Sequence, residues 1–161
     1  MSGFYHLITF GCQMNKNDSE RMTRVLENMG LRATEKPELA DVILVNTCSV
    51  RQSAEDRVFG QIHKYESLKE KNPQLILGIT GCMPGRDRDG SIAKRLPQVD
   101  LFFPIEDMVK LPEWLCALNP QFVNSGELVD DYLSINPIRD ASKQAYVTIQ
   151  TGCNKFCTYC V

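Results

Sequence analysis

The sequence lacks a basic surplus and a long apolar segment, and each absence excludes a class of function. Its 161 residues include 18 Lys and Arg against 20 Asp and Glu, so the formal net charge is −2. A chain of this balance predicts no broad basic surface, so any affinity for nucleic acid must be local or come from another domain. The first residues show no basic stretch followed by a long apolar one. We therefore predict neither a signal peptide nor a membrane-spanning helix.

Cysteine, in contrast, is in excess. Seven cysteines occur in a chain that we expect to be cytoplasmic. An odd number argues against a fully paired disulfide framework, and the cytosol keeps thiols reduced. Metal binding or thiol chemistry is therefore the leading interpretation. The two histidines, His6 and His63, show no ligand spacing, and we interpret both as structural.

The first two thirds of the chain alternate strand and helix patterns. Four apolar runs predict strands at Phe4–Phe10, Asp41–Thr47, Leu75–Gly81 and Val99–Phe103. The segments between and after them predict helices at Lys16–Gly30, Ser53–Lys71, Ser91–Leu96 and Leu111–Asn119. Continuous apolar strands in a repeated β-α-β order predict an α/β fold. We expect an open, mostly parallel sheet with helices on both faces.

The organisation changes after residue 118. Residues 119–144 are polar, contain prolines and show no sustained period, so we predict a linker with at most a short β element. Ala145–Thr151 predicts a new strand that runs into a cysteine-rich loop. We therefore expect an α/β domain at 1–118, a linker at 119–144 and the truncated start of a second domain at 145–161.

Three cysteines follow the carboxyl ends of three predicted strands. Cys12, Cys48 and Cys82 should converge, because these ends meet at one edge of an open α/β sheet, where ligands bind. Three soft thiolates suit three irons of a 4Fe–4S cluster, or three ligands of a zinc ion. A single free cysteine is more often a small buried hydrophobe. We assign that role to Cys116, which lies inside the last predicted helix.

Polar and cationic residues flank these three cysteines. The polar ones are Gln13, Asn15, Asn46, Thr47 and Ser49. Two interpretations stay open for them, since hydrogen-bond donors tune cluster sulfurs and the same residue types also cap helices. Arg51 and Arg86 either face an anionic group at this edge or lie solvated at the surface.

A second cysteine set closes the sequence. Cys153, Cys157 and Cys160 have the spacing C-x3-C-x2-C, which matches neither bacterial ferredoxin loops nor paired zinc-ribbon units. The spacing resembles the radical-SAM signature, in which three thiolates hold a 4Fe–4S cluster and one iron stays free. Tyr159 occupies the usual aromatic position. A thioredoxin-like C-x-x-C fits less well, because a third cysteine is present and no helix pattern follows.

Four separated motifs, taken in order, resemble one family over nearly the whole chain. They are "FGCQMNKNDSE", "VNTCSVRQSAEDRV", "GCM-x-x-R" and "GCNKFCTYCV". The sequence is similar to the tRNA methylthiotransferases. "QMN" and "NKFCTYCV" resemble the branch that makes 2-methylthio-N6-isopentenyladenosine more than the threonylcarbamoyl-adenosine or ribosomal-protein branches.

The resemblance implies two 4Fe–4S clusters. An auxiliary cluster would be held by Cys12, Cys48 and Cys82, and a radical-SAM cluster by Cys153, Cys157 and Cys160. Tyr159 would lie near the adenine of S-adenosylmethionine. One S-adenosylmethionine would methylate sulfur at the auxiliary cluster, and a second would yield the 5′-deoxyadenosyl radical that activates C2 of the modified adenosine.

The implied partners are a tRNA, bound mainly by C-terminal domains absent here, and a reductant. We expect a cytoplasmic monomer without membrane contact, and we expect these 161 residues alone to be catalytically inactive. Two alternatives remain at this point. One is the same chemistry on threonylcarbamoyl-adenosine or a ribosomal protein, and the other is a non-catalytic α/β module with a zinc or iron–sulfur site.

Overall fold

A five-stranded, wholly parallel sheet forms the centre of the protein. The computed structural model describes residues 3–49, 52–123, 129–139, 144–152 and 154–158, and of 52–55 the backbone alone. The strand order is β2-β1-β3-β4-β5. The strands are β1 Phe4–Phe10, β2 Arg32–Ala33, β3 Val42–Thr47, β4 Ile76–Gly81 and β5 Leu101–Phe103. The predicted α/β fold with an open parallel sheet is confirmed.

Four α-helices cover both faces of this sheet. They are α1 Gln13–Asn28, α2 Gln52–Lys71, α3 Cys82–Arg86 and α4 Leu111–Leu118. Alternate residues of β3 enter two separate cores, as the period of a strand requires. Leu44 packs with α1 and α4 on one face, and Val45 packs with α2 and α3 on the other. No helix in the described ranges combines the length and apolarity needed to cross a membrane.

Short elements account for most differences from prediction. The helix predicted at Ser91–Leu96 is only a 3-10 turn at Ala93–Arg95. The edge strand β2 and the helix α3 were not predicted, because two and five residues carry too little periodicity to recognise. Further 3-10 turns lie at Pro37–Leu39, Ile105–Lys110 and Tyr132–Ser134.

The strand predicted at Ala145–Thr151 is absent, since residues 144–152 contain no strand. A strand needs a neighbour for its backbone groups, and no strand of the described residues pairs with this segment. Its apolar side chains Val147 and Ile149 are exposed. A helix side chain, that of Asn17, instead binds the carbonyl of Tyr146.

Much of the predicted linker packs against the first core. Phe122, Tyr132 and Ile135 are buried with residues of α1 and α4. The backbone N–H of Ile138 donates to the carbonyl of Glu20 in α1 at 3.0 Å. Sparse apolar residues at irregular spacing gave no periodic signal, although Phe122, Tyr132 and Ile135 fill places in the core. The domain boundary at residue 118 stays a prediction.

Helix α1 also buries polar side chains, among them Asn17, Asp18 and Arg21. Asp18 Oδ1 and Arg21 Nε have no hydrogen-bond partner among the described residues. Burial raises the pKa of the Asp18 carboxyl to about 6, although the Arg21 guanidinium acts in the opposite direction. Burial raises the pKa of the Tyr132 hydroxyl, and the charge of the Asp18 carboxyl raises it further.

Replacing Tyr132 by Ala should lower the free energy of unfolding by about 3 kcal/mol, because a large core side chain leaves a cavity. The neighbouring Leu133 is 37% exposed against 7% for Tyr132. Leu133→Ala should therefore cost less than about 1 kcal/mol. Urea unfolding under reducing conditions measures both. Equal effects would show that the segment does not pack on the core.

Asp18→Asn should change how stability depends on pH. The folded protein holds the Asp18 proton up to about pH 6, whereas the unfolded chain releases it near pH 4. The contribution of the Asp18 carboxyl to the free energy of unfolding is therefore complete below pH 4 and is lost as the pH rises through 6. Unfolding free energies of variant and parent should agree near pH 4 and differ at pH 7.5 by about 3 kcal/mol in favour of the variant. Glu70→Gln, on an exposed carboxylate, is the control, and a pH-independent difference would contradict the assignment.

Candidate metal centre

The register of the three central strands brings their ends into line. It aligns the strand-final residues Phe10, Thr47 and Gly81. Cys12 lies two residues beyond its strand, whereas Cys48 and Cys82 lie one residue beyond theirs. The N–H of Cys48 also donates to the carbonyl of Phe10 at 2.8 Å, which holds the two strand ends together past the ladder. The register therefore brings the three strand ends to one edge of the sheet.

The thiols of these cysteines share one local environment. Cys48 is buried, Cys12 is half-buried and Cys82 is the most exposed residue of the three. Burial of the thiol itself raises the pKa of Cys82, and negative charge on Cys48 and then Cys12 adds to that rise. Hydrogen bonds from the Ser49 backbone and the Asn15 amide oppose it. The Asn15 side chain therefore acts on the cysteine that follows β4, although Asn15 belongs to α1.

A buried pair of amides, Asn15 and Asn46, lies beneath the cysteines. Asn15 Oδ1 accepts from the Cys12 backbone N–H at 3.2 Å and from its thiol at 3.4 Å. Asn15 Nδ2 donates to Asn46 Oδ1 at 3.1 Å. Asn46 Nδ2 donates back to the Asn15 carbonyl at 2.8 Å and to Ser19 Oγ at 2.9 Å. Each amide thus has partners at both ends, which is how buried polar groups avoid the cost of desolvation.

The sequence did not predict one part of this hydrogen-bond network, which we call the amide floor. Thr9 Oγ1 and Ser19 Oγ share a hydrogen bond of 2.8 Å, so the network extends from β3 through α1 to β1. The available signal was the position of Asn46 and Thr47, two polar residues at the end of an otherwise apolar, fully buried strand. A buried polar residue there needs partners, which identifies polar residues on the neighbouring elements as candidates.

Two glycines make room for the amide pair. A Cβ on Gly11 would collide with the Asn15 side chain, and one on Gly81 would collide with the carbonyl of Thr47. Gly81 also has φ of +101°, in the region that side chains disfavour. Both positions therefore require glycine, and both immediately precede a cysteine of the site.

The edge of the sheet that carries the three cysteines lies within a region that matches a known protein family. Residues 5–104 match the uncharacterized protein family UPF0004, a range that contains Cys12, Cys48 and Cys82. This chain belongs to the UPF0004 family.

The UPF0004 chain is also similar to longer curated proteins. It is 40% identical over 163 residues to a protein of Clostridium botulinum and 42% identical over 163 residues to one of Dictyoglomus thermophilum, each alignment covering 98% of this chain and 36% of the relative. A protein of Bordetella avium is 39% identical over 165 residues, which cover 99% of this chain and 34% of the relative. All three are named tRNA-2-methylthio-N(6)-dimethylallyladenosine synthase. The chain thus spans about a third of the length of these relatives.

The UPF0004 site offers thiol and amide groups as donors. No group of three or more His, Cys, Asp and Glu side chains in the described ranges lies close enough together to surround one metal ion. The thiolates of a 4Fe–4S cluster bind separate irons. Three thiols with amide donors beside them match what such clusters use.

The structure describes only some of the remaining predicted site residues. Cys157 is exposed, and Cys153, Tyr159 and Cys160 lie outside the described residues, as does Arg51. The second cysteine set therefore stays a prediction.

Three residues that we interpreted as structural lie in structural contacts. Cys116 packs at the first core, and its thiol donates to the carbonyl of Phe122 at 3.3 Å. His6 Nδ1 lies 2.9 Å from the Thr34 carbonyl, and His63 pairs with Glu66 on α2.

Gly81→Ala and Gly60→Ala should have opposite effects on stability. A methyl group at position 81 meets the Thr47 backbone at an unfavourable φ, so we expect a loss of about 2–4 kcal/mol. A methyl group at position 60, exposed in α2, meets no atom within 4 Å. Since alanine is the better helix former, Gly60→Ala should gain about 1 kcal/mol. Urea unfolding tests both, and a stabilising Gly81→Ala would refute the proposed packing at the cysteine edge.

Proposed function

We propose that this chain is the N-terminal part of a tRNA methylthiotransferase, which places a methylthio group on C2 of N6-isopentenyladenosine beside the anticodon. The observation that carries the proposal is the convergence of three strand-end cysteines on a buried amide floor. The names of relatives about 40% identical over nearly the whole chain support it. They also favour the isopentenyl branch over threonylcarbamoyl-adenosine or a ribosomal protein as the substrate.

Cys12, Cys48 and Cys82 would hold an auxiliary 4Fe–4S cluster. When bound, such a cluster supplies an open iron at which sulfur can be held and methylated. The chain's own part is to fix the thiolates, and the Asn15 amide does this by contact with Cys12 and by its action on Cys82. The burial of Cys48 keeps water from one side of the site.

The second set, Cys153, Cys157 and Cys160, would hold the cluster that binds S-adenosylmethionine, with Tyr159 near its adenine. The reason for radical chemistry lies in the substrate. The C2–H bond of an adenine is unactivated, and no side chain is basic enough to remove its proton. A carbon-centred radical can abstract the hydrogen atom instead, given S-adenosylmethionine and a one-electron reductant.

The tRNA would be bound mainly by parts of the enzyme outside these residues. The net charge of −2 provides no broad basic surface for RNA. We propose a cytoplasmic, monomeric enzyme that draws electrons from a separate reductant. These 161 residues alone are expected to bind a cluster without turning over substrate.

Anaerobic reconstitution with iron and sulfide, followed by iron counting and Mössbauer spectroscopy, tests the site. Replacing Cys12, Cys48 and Cys82 by Ala should remove about four iron atoms per chain relative to the parent protein. Cys116→Ala is the matched control, because it removes a packed thiol away from the edge, and it should leave the iron content unchanged.

A triple variant that keeps as much iron as the parent would refute the site. Zinc in the aerobically purified protein, with no cluster formed on reconstitution, would support a non-catalytic binding module instead.

A further inference from the structure

A polar stripe on α1 faces the chain segment that leads to the second cysteine set. Asn17, Glu20, Arg21 and Arg24 follow the spacing i, i+3, i+4 and i+7, which places them on one side of the helix. Such a stripe is ordinarily solvated, yet Asn17 is only 1% exposed and Arg21 is also buried. Residues 136, 138, 146 and 148 make hydrogen bonds to residues of this stripe.

Asn17 makes the central contact. Its Nδ2 donates to the carbonyl of Tyr146 at 2.7 Å, and its Oδ1 accepts from Thr148 Oγ1 at 3.1 Å. Arg21 Nη1 donates to the same oxygen. Both ends of one buried amide are therefore bound to the segment 146–148, and a neighbouring guanidinium holds that amide in place.

Two further contacts continue along the helix. The N–H of Ile138 donates to the Glu20 carbonyl at 3.0 Å, and Arg24 Nε donates to the Asn136 carbonyl at 3.3 Å. The chain thus crosses α1 near its last turn at residue 136 and reaches its first turns at residues 146–148. A cavity of about 220 Å³ is lined by Gln13, Met14 and Asn17 on one side and by residues 146–150 on the other.

The same helix begins at the first cysteine site, since Cys12 is the residue that caps its N-terminus. Asn17 lies five residues further on, which is about 7.5 Å along a helix. The contact with Thr148 leaves four residues, 149–152, before Cys153, whereas the contact at Ile138 alone would leave fourteen, 139–152.

We propose that α1 is a strut between the first cysteine set and the segment that leads to the second, and that Asn17 is the positioning residue that holds this segment on the helix at residues 146–148. This inference rests on the proposed function for its purpose, though the contact itself requires no metal. Shortening a tether from fourteen residues to four raises the effective concentration of its end about sixfold. Two sites that must act on one substrate gain from such a restraint.

Nitrogen-15 relaxation of the metal-free chain tests the anchor. In the parent protein the backbone order parameters of residues 146–150 should be near 0.85, and in Asn17→Ala they should fall below about 0.6. Asn28→Ala, at an exposed amide in the last turn of the same helix, should leave them unchanged. Thr148→Val removes one hydrogen bond without altering α1, so it tests the contact even if Asn17→Ala fails to fold.

A second measurement connects the anchor to the cluster. Cys153, Cys157 and Cys160 are replaced by Ser, and a reduced, paramagnetic cluster is reconstituted at the first set. Amide signals of residues 146–150 should broaden strongly, and Asn17→Ala in that background should weaken the broadening at least twofold.

The outcomes separate the two proposals. Equal order parameters in Asn17→Ala and the parent overturn the strut. Failure of the first set to bind iron overturns the proposed function, and the order parameters still decide whether Asn17 anchors the segment.

Discussion

The buried amide pair of Asn15 and Asn46 is the interaction on which this edge of the sheet depends. It joins the first turn of α1 to the end of β3, and it is within reach of cysteines that follow β1 and β4. Buried amides are costly unless both the oxygen and the nitrogen are bound, and here both are. The parallel hydrogen-bond ladder aligns the carboxyl ends of the three strands. The hydrogen-bonded amide pair then fixes one arrangement of the residues that follow them.

The glycines follow from the same constraint. Gly11 and Gly81 are needed because the amide pair and the Thr47 backbone occupy the space where a side chain would stand. The position of each cysteine in its motif thus has a physical reason. The strand ends, the chain turns, and the thiol lies at the edge of the sheet. A change to any of the four residues Gly11, Asn15, Asn46 and Gly81 therefore disturbs packing directly beside the cysteines.

The sequence was a good guide where burial is periodic or continuous. Val42–Thr47 is buried at every position. Its apolar run predicted both the strand and the position of Cys48 just beyond the end of that strand. The sequence failed where structure depends on single contacts. Tyr132 fills the core from a segment without periodicity, and Asn17 binds residues about 130 positions away, which no local pattern can indicate. The segment Ala145–Thr151 predicted a strand, but a strand also requires a neighbouring strand with which to pair.

The parallel arrangement has a thermodynamic consequence for any ligand held at its rim. The three cysteines come from three separate β-α junctions, so no single hairpin or β-α unit contains the site. A ligand that needs all three thiols has affinity for the fully paired sheet alone and none for partly folded chains. Its binding free energy is therefore added to the stability of the whole domain. Binding of such a ligand also shows that β1, β3 and β4 are all paired in the sheet.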